Sequence, residues 1–182
     1  GSLTLSNGGM FNFPPSSPAY FYPGTITVPA NQTGTISSPG LANGVSGNVL
    51  SGNSSSVLNL SSGVSFSGTT SAQFDSFTGT INIPAGATLR FSSATSGNIY
   101  GSLNPLFNIT GTLQPRNAGN TVRLGKISGS GTLTGPQSNA GTGNTTYQIG
   151  GANVDSVFSG IISSNTAVTN SIVILHKLGT GR

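Results

Sequence analysis

The chain has 182 residues, of which only 4% are Asp, Glu, Lys or Arg, and it contains no cysteine. Ordinary globular proteins carry about 25% charged residues. Six basic and two acidic residues leave a formal charge of +4, which reflects missing acids rather than a basic patch, so no nucleic-acid partner is expected. Disulfides, thiolate chemistry and cysteine metal sites are excluded together, and no long apolar run suggests insertion into a membrane. The 34% apolar content falls in short β-branched and aromatic runs, the pattern of an ordered chain of strands rather than a disordered one.

In chain order, the first distinctive stretch runs from Phe13 to Pro23, and six of the ten prolines lie before residue 40. Proline cannot donate to a strand ladder, so residues 1–40 are expected to form a cap or loop region that covers a first rung. Thr25-Ile26-Thr27-Val28 follows as a strand. Further along, an amide flanked by two apolar residues recurs as Leu58-Asn59-Leu60, Ile81-Asn82-Ile83, Phe107-Asn108-Ile109 and Tyr147-Gln148-Ile149, with an early copy at Phe11-Asn12-Phe13. In a strand the flanking pair turns to one face and the amide to the other. The steps from Asn59 to Asn82 and from Asn82 to Asn108 are each close to two dozen positions, and the step from Asn12 to Asn59 is nearly twice as long. The longer interval from Asn108 to Gln148 breaks the rule, and a rung at Val122-Arg123-Leu124 would divide it, with the following step reaching Val173. Gly-centred elements such as Thr33-Gly34-Thr35-Ile36, Thr78-Gly79-Thr80-Ile81, Thr110-Gly111-Thr112-Leu113 and Gly129-Ser130-Gly131-Thr132 read as corners.

A period of about two dozen residues is that of a solenoid rung. The expected fold is all-β, a single-stranded right-handed parallel β-helix over residues 1–182 as one domain. An immunoglobulin-like or jelly-roll sandwich also uses short strands and Gly-rich turns and stays open as the alternative.

The segments Leu124 to Gly135, Phe158-Ser159-Gly160-Ile161-Ile162 and Ile174 to Arg182, with the element Lys177-Leu178-Gly179-Thr180-Gly181, resemble the β-strand repeats associated with autotransporter passengers. That resemblance implies a right-handed β-helix on or outside a bacterial cell, cut from a longer protein. In its general character the chain is also similar to β-helical carbohydrate-binding modules of bacterial plant-cell-wall-degrading enzymes, which implies a xylan-type ligand and a covalently linked catalytic domain.

The only carboxylates, Asp75 and Asp155, are far apart in the chain, by roughly three rungs or on the order of 15 Å at about 4.8 Å per rung. Glycosidase pairs stand about 5 to 9.5 Å apart, so no catalytic site is expected. His176 is the sole histidine and has no second nitrogen or sulfur ligand with which to hold a metal. A calcium ion held mainly by carbonyls stays open, and no cofactor is expected. What remains is a neutral surface of amides, hydroxyls and aromatics, suited to a polyhydroxylated ligand. The candidate contacts are the outward amides Asn59, Asn82 and Asn108, Arg90 between Leu89 and Phe91, and three phenols. Tyr20 and Tyr22 would face one side while Phe21 packs inward, and Tyr100 would reach solvent while Ile99 joins the core. A secreted or cell-surface module binding a plant polysaccharide, most simply xylan, is the expected function; a structural or adhesive passenger segment is the alternative.

Overall fold

The computed structural model describes residues 1–14, 21–46, 50–67, 74–92, 96–137, 143–168 and 171–182. The chain is a parallel β-solenoid. Its strands are β1 (Ser2–Thr4), β2 (Met10–Asn12), β3 (Phe21–Tyr22), β4 (Thr25–Thr27), β5 (Thr33–Ser46), β6 (Leu50–Ser51), β7 (Val57–Ser67) and β8 (Thr80–Ile83). They continue as β9 (Thr88–Ser92), β10 (Ile99–Ile109), β11 (Thr112–Pro115), β12 (Thr121–Ser128), β13 (Thr132–Thr134), β14 (Thr145–Ile149), β15 (Ile161–Ser163) and β16 (Val173–Lys177). Every strand pairing among the described residues is parallel. β1, β4 and β6 form a three-stranded sheet, and the other thirteen strands belong to one continuous sheet that wraps around the core. The segment expected as a cap or loop, residues 1–40, thus contains β1 to β4 and the start of β5, each stacked on a later rung.

Register turns the sequence into columns. Met10, Thr35, Asn59, Asn82, Asn108 and Ser128 stack one above another on successive turns. Each step along this column spans between 20 and 26 residues. The flanking positions turn inward: Leu58, Leu60, Ile81, Ile83, Phe107 and Ile109 are all fully buried. Two parts of the expected periodicity need correction. Asn12 pairs with Ser37 and so lies two positions beyond the Asn59 column. Gln148 belongs to a different face, in the column Arg123–Gln148–His176, so its next partner is His176 rather than Val173. The single-turn step from Arg123 to Gln148 does exist; the apparent long gap before Gln148 arose from comparing triplets on separate faces.

Within a largely aliphatic interior, aromatic rings make contact across rungs. Phe74 lies with its ring centre 4.8 Å from Phe66, 5.8 Å from Phe91 and 6.3 Å from Phe107, and Phe91 stacks on Tyr100 at 5.6 Å. The buried Tyr147 hydroxyl donates to the Thr134 carbonyl at 2.7 Å, so its polar end is satisfied within the core.

Corners are tight where glycines stack. Thr112, Thr132 and Ile161 share a column, which brings Gly111, Gly131 and Gly160 into line just before them. A Cβ on Gly131 would collide with the Gly111 carbonyl oxygen and come within 2.7 Å of the Thr110 carbonyl carbon, all rigid backbone. Gly131→Ala is therefore expected to lower stability by about 1 to 3 kcal/mol through overpacking. Gly40→Ala, where a Cβ meets nothing within 4 Å, should leave it within about 0.5 kcal/mol. Urea midpoints of the two variants against wild type check this; equal midpoints would mean the corners give way.

Candidate functional site

Asn59, Asn82 and Asn108 sit at corresponding places in β7, β8 and β10, held outward because the residues on either side of each are locked in the core. Parallel stacking puts their amides one rung apart, about 4.8 Å, close enough to bond one another. Asn108 Nδ2 donates to Asn82 Oδ1 at 3.1 Å, and Asn82 Nδ2 donates to Asn59 Oδ1 at 2.8 Å. Ser128 Oγ donates to Asn108 Oδ1 at 3.4 Å, which extends the ladder by one rung. All three bonds point toward the amino-terminal rungs.

The ladder is half-buried and forms the floor of a groove of roughly 470 Å³. Thr35 continues the floor, Ser61, Pro84 and Thr110 line one flank, and Met10 stands at the amino-terminal end. An amide offers two donor hydrogens and two acceptor lone pairs. Asn82 spends one of each on the ladder and turns the remainder to the groove, so the floor presents donors and acceptors at a regular spacing without a net charge. Neither Nδ2 hydrogen of Asn59 has an acceptor among the described residues. Sequence reading missed Thr35, Met10 and Ser128 as members of this line. Thr35 was findable, since it lies one period before Asn59 and just before the core residue Ile36.

The other expected contacts lie elsewhere. Arg90 does project away from Leu89 and Phe91, yet it is only 9% exposed. Its Nε donates to Ser65 Oγ at 3.0 Å and one terminal nitrogen to Gln137 Oε1 at 2.5 Å, while the other bonds the Leu41 carbonyl oxygen. It is a clamp across segments distant in sequence rather than an open contact. Burial, and after it the charge of Arg116, hold its guanidinium down to about 10, still protonated at neutral pH.

Tyr100 is corrected outright. Its side chain is 0% exposed, whereas Ile99 is 37% exposed, the reverse of the expectation. Tyr100 shares an inward column with Val122 and Tyr147 and Ile99 an outward one with Thr121 and Thr146, and the ring is held on Phe91. Tyr22 is not a free platform either: it pairs with Val45, which pairs with Phe66, so it stands at the end of an inward column. Its ring packs edge-on against Phe11 at 5.2 Å. Tyr20 lies outside the described residues.

Asp75 and Asp155 are exposed and belong to separate turns; Arg182 N donates to Asp155 Oδ1 at 2.7 Å. Among the described residues no three of His, Asp and Glu come together. No family model, no curated protein and no solved structure matches the chain.

The ladder sets a graded series of stability losses. Asn82→Ala removes one bond as donor and one as acceptor, while Asn59→Ala removes only one. At about 0.5 to 1.5 kcal/mol per bond, Asn82→Ala should cost about 1 to 3 kcal/mol and Asn59→Ala about half as much, read as thermal or urea unfolding. Equal losses would show that the amides are solvated independently.

Proposed function

We propose that this chain is a non-catalytic carbohydrate-binding module that holds a neutral plant cell-wall polysaccharide, xylan being the first to test, along the Asn59–Asn82–Asn108 groove. The observation that carries the reading is the uncharged groove floored by amides in register. Sugar hydroxyls both donate and accept, as does each amide, and a row repeated at about 4.8 Å can engage successive residues of an extended glycan. Pro84 and the exposed Met10 add apolar surface on which a pyranose face can rest. The groove contains no carboxylate, and Asp75 and Asp155 are not among its lining residues, so binding without cleavage is the activity assigned. A bacterial, secreted or cell-surface setting and a linked catalytic domain complete the proposal.

A structural or adhesive segment of a surface passenger is the second reading. It is favoured by an exposed apolar face at the β15–β16 end, where Ile162 and Leu175 cap inward columns yet stay 38% and 51% exposed. Such a face suits stacking against further β-structure.

Pull-down with insoluble xylan, cellulose and pectin, followed by calorimetry with oligosaccharides, tests the first reading. Ser61→Arg, which fills the flank without touching the ladder, should weaken binding at least about tenfold, a loss of about 1.4 kcal/mol, with an unchanged circular dichroism spectrum. The double variant Asp75→Asn with Asp155→Asn should bind as wild type does. Retained affinity in Ser61→Arg would move the site elsewhere, and release of reducing or unsaturated sugar by wild type but not by the double variant would make the protein an enzyme.

A further inference from the structure

We infer that the amino-terminal end of the groove is a subsite for an O-acetyl ester carried by the glycan. This rests on the glycan-binding reading above and narrows its ligand. Three observations meet at this end. The ladder runs one way, from Ser128 through Asn108 and Asn82 to Asn59, so it terminates in a donor: Asn59 Oδ1 is engaged by Asn82, and the two Nδ2 hydrogens have no acceptor among the described residues. The next places in the column are Thr35 and Met10, and Met10 is 56% exposed. No residue lining the groove is charged.

A donor followed along the column by Thr35 and then by an exposed apolar side chain asks for a group that accepts a hydrogen bond at one end and is apolar at the other. An acetyl ester has that form. Its carbonyl oxygen accepts from Asn59 Nδ2, and its methyl lies over Thr35 toward the long Met10 side chain. A uronate carboxylate would meet the donor equally well, but it would be partly desolvated beside no cation. A bare hydroxyl would leave Met10 uncovered. The neutral ester is thus favoured over both the acid and the unmodified sugar.

Short xylo-oligosaccharides in acetylated form and after saponification, titrated calorimetrically into the full chain, decide the matter. The acetylated form should bind about 10- to 50-fold tighter, the yield of one net hydrogen bond and a buried methyl. Asn59→Asp keeps an oxygen to receive Asn82 Nδ2 but replaces the donor by a second acceptor, so it should abolish the preference. Met10→Ser leaves the ladder intact and should reduce the preference on its own, which keeps the test decisive if Asn59→Asp unfolds. Equal affinity of wild type for the two forms overturns the subsite while leaving the glycan reading standing. Loss of the preference in Asn108→Asp but not in Asn59→Asp also overturns it, because the free donor would then lie at the opposite end. Binding of neither form removes the xylan reading and, with it, the subsite.

Discussion

Parallel register is the constraint on which everything else in this molecule rests. Because every described pairing is parallel, a residue meets its counterpart one turn away at the same height and with the same orientation. A side chain is therefore judged by its column. Inward columns bring apolar groups together: Val64, Leu89, Leu113 and Leu133 follow one another, and all four are fully buried. Outward columns must instead be filled with groups that tolerate their neighbours at about 4.8 Å.

That requirement bears on the scarcity of charge. Like charges stacked at such a spacing repel, whereas amides and hydroxyls each carry a donor and an acceptor and can bond in series. The charged residues within paired strands follow this rule. Arg90 faces Ser65 and Gln114, Arg123 faces Gly101 and Gln148, Lys126 faces Leu106, and Lys177 faces Ile149. No cation faces another across a rung step in the described strands. Arg123 Nε bonds Gln148 Oε1 at 3.1 Å, a cation resting on an amide. The neutrality of the groove and the low charge of the whole chain thus share a common basis in the fold.

The fold and the amide column were legible in the sequence because they depend on local alternation. Leu58-Asn59-Leu60 and its two successors state both the inward pair and the outward amide within a single triplet. Faces were harder to separate, since Tyr147-Gln148-Ile149 has the same local pattern as Phe107-Asn108-Ile109 and only the pairing with β12 shows that it stands on another side. Tyr100 was misplaced for a related reason. Gly97 and Gly101, both with positive φ, make the stretch look like a turn, while Ile99 to Ser102 pairs with Thr121 to Leu124 as strand. Arg90 was placed on the correct side of its strand, but its burial depends on Leu41 and Gln137, 49 and 47 residues away. Nothing local to Leu89-Arg90-Phe91 encodes that cover.

The irregular places in the ladder have an evolutionary consequence. Pairing of β5 with β7 jumps between Pro39 and Gly44, and pairing of β10 with β12 jumps between Ser102 and Leu106. Surplus residues are taken up there as bulges within the strand, and the columns resume in step on the far side. Insertions and deletions at such points change the length of a turn without altering which side chains face the groove. A single residue gained inside Leu58-Asn59-Leu60 would instead exchange core and surface along that strand. Lineages of this fold should consequently drift in length at the jumps, and lengthen or shorten their binding surface by whole turns.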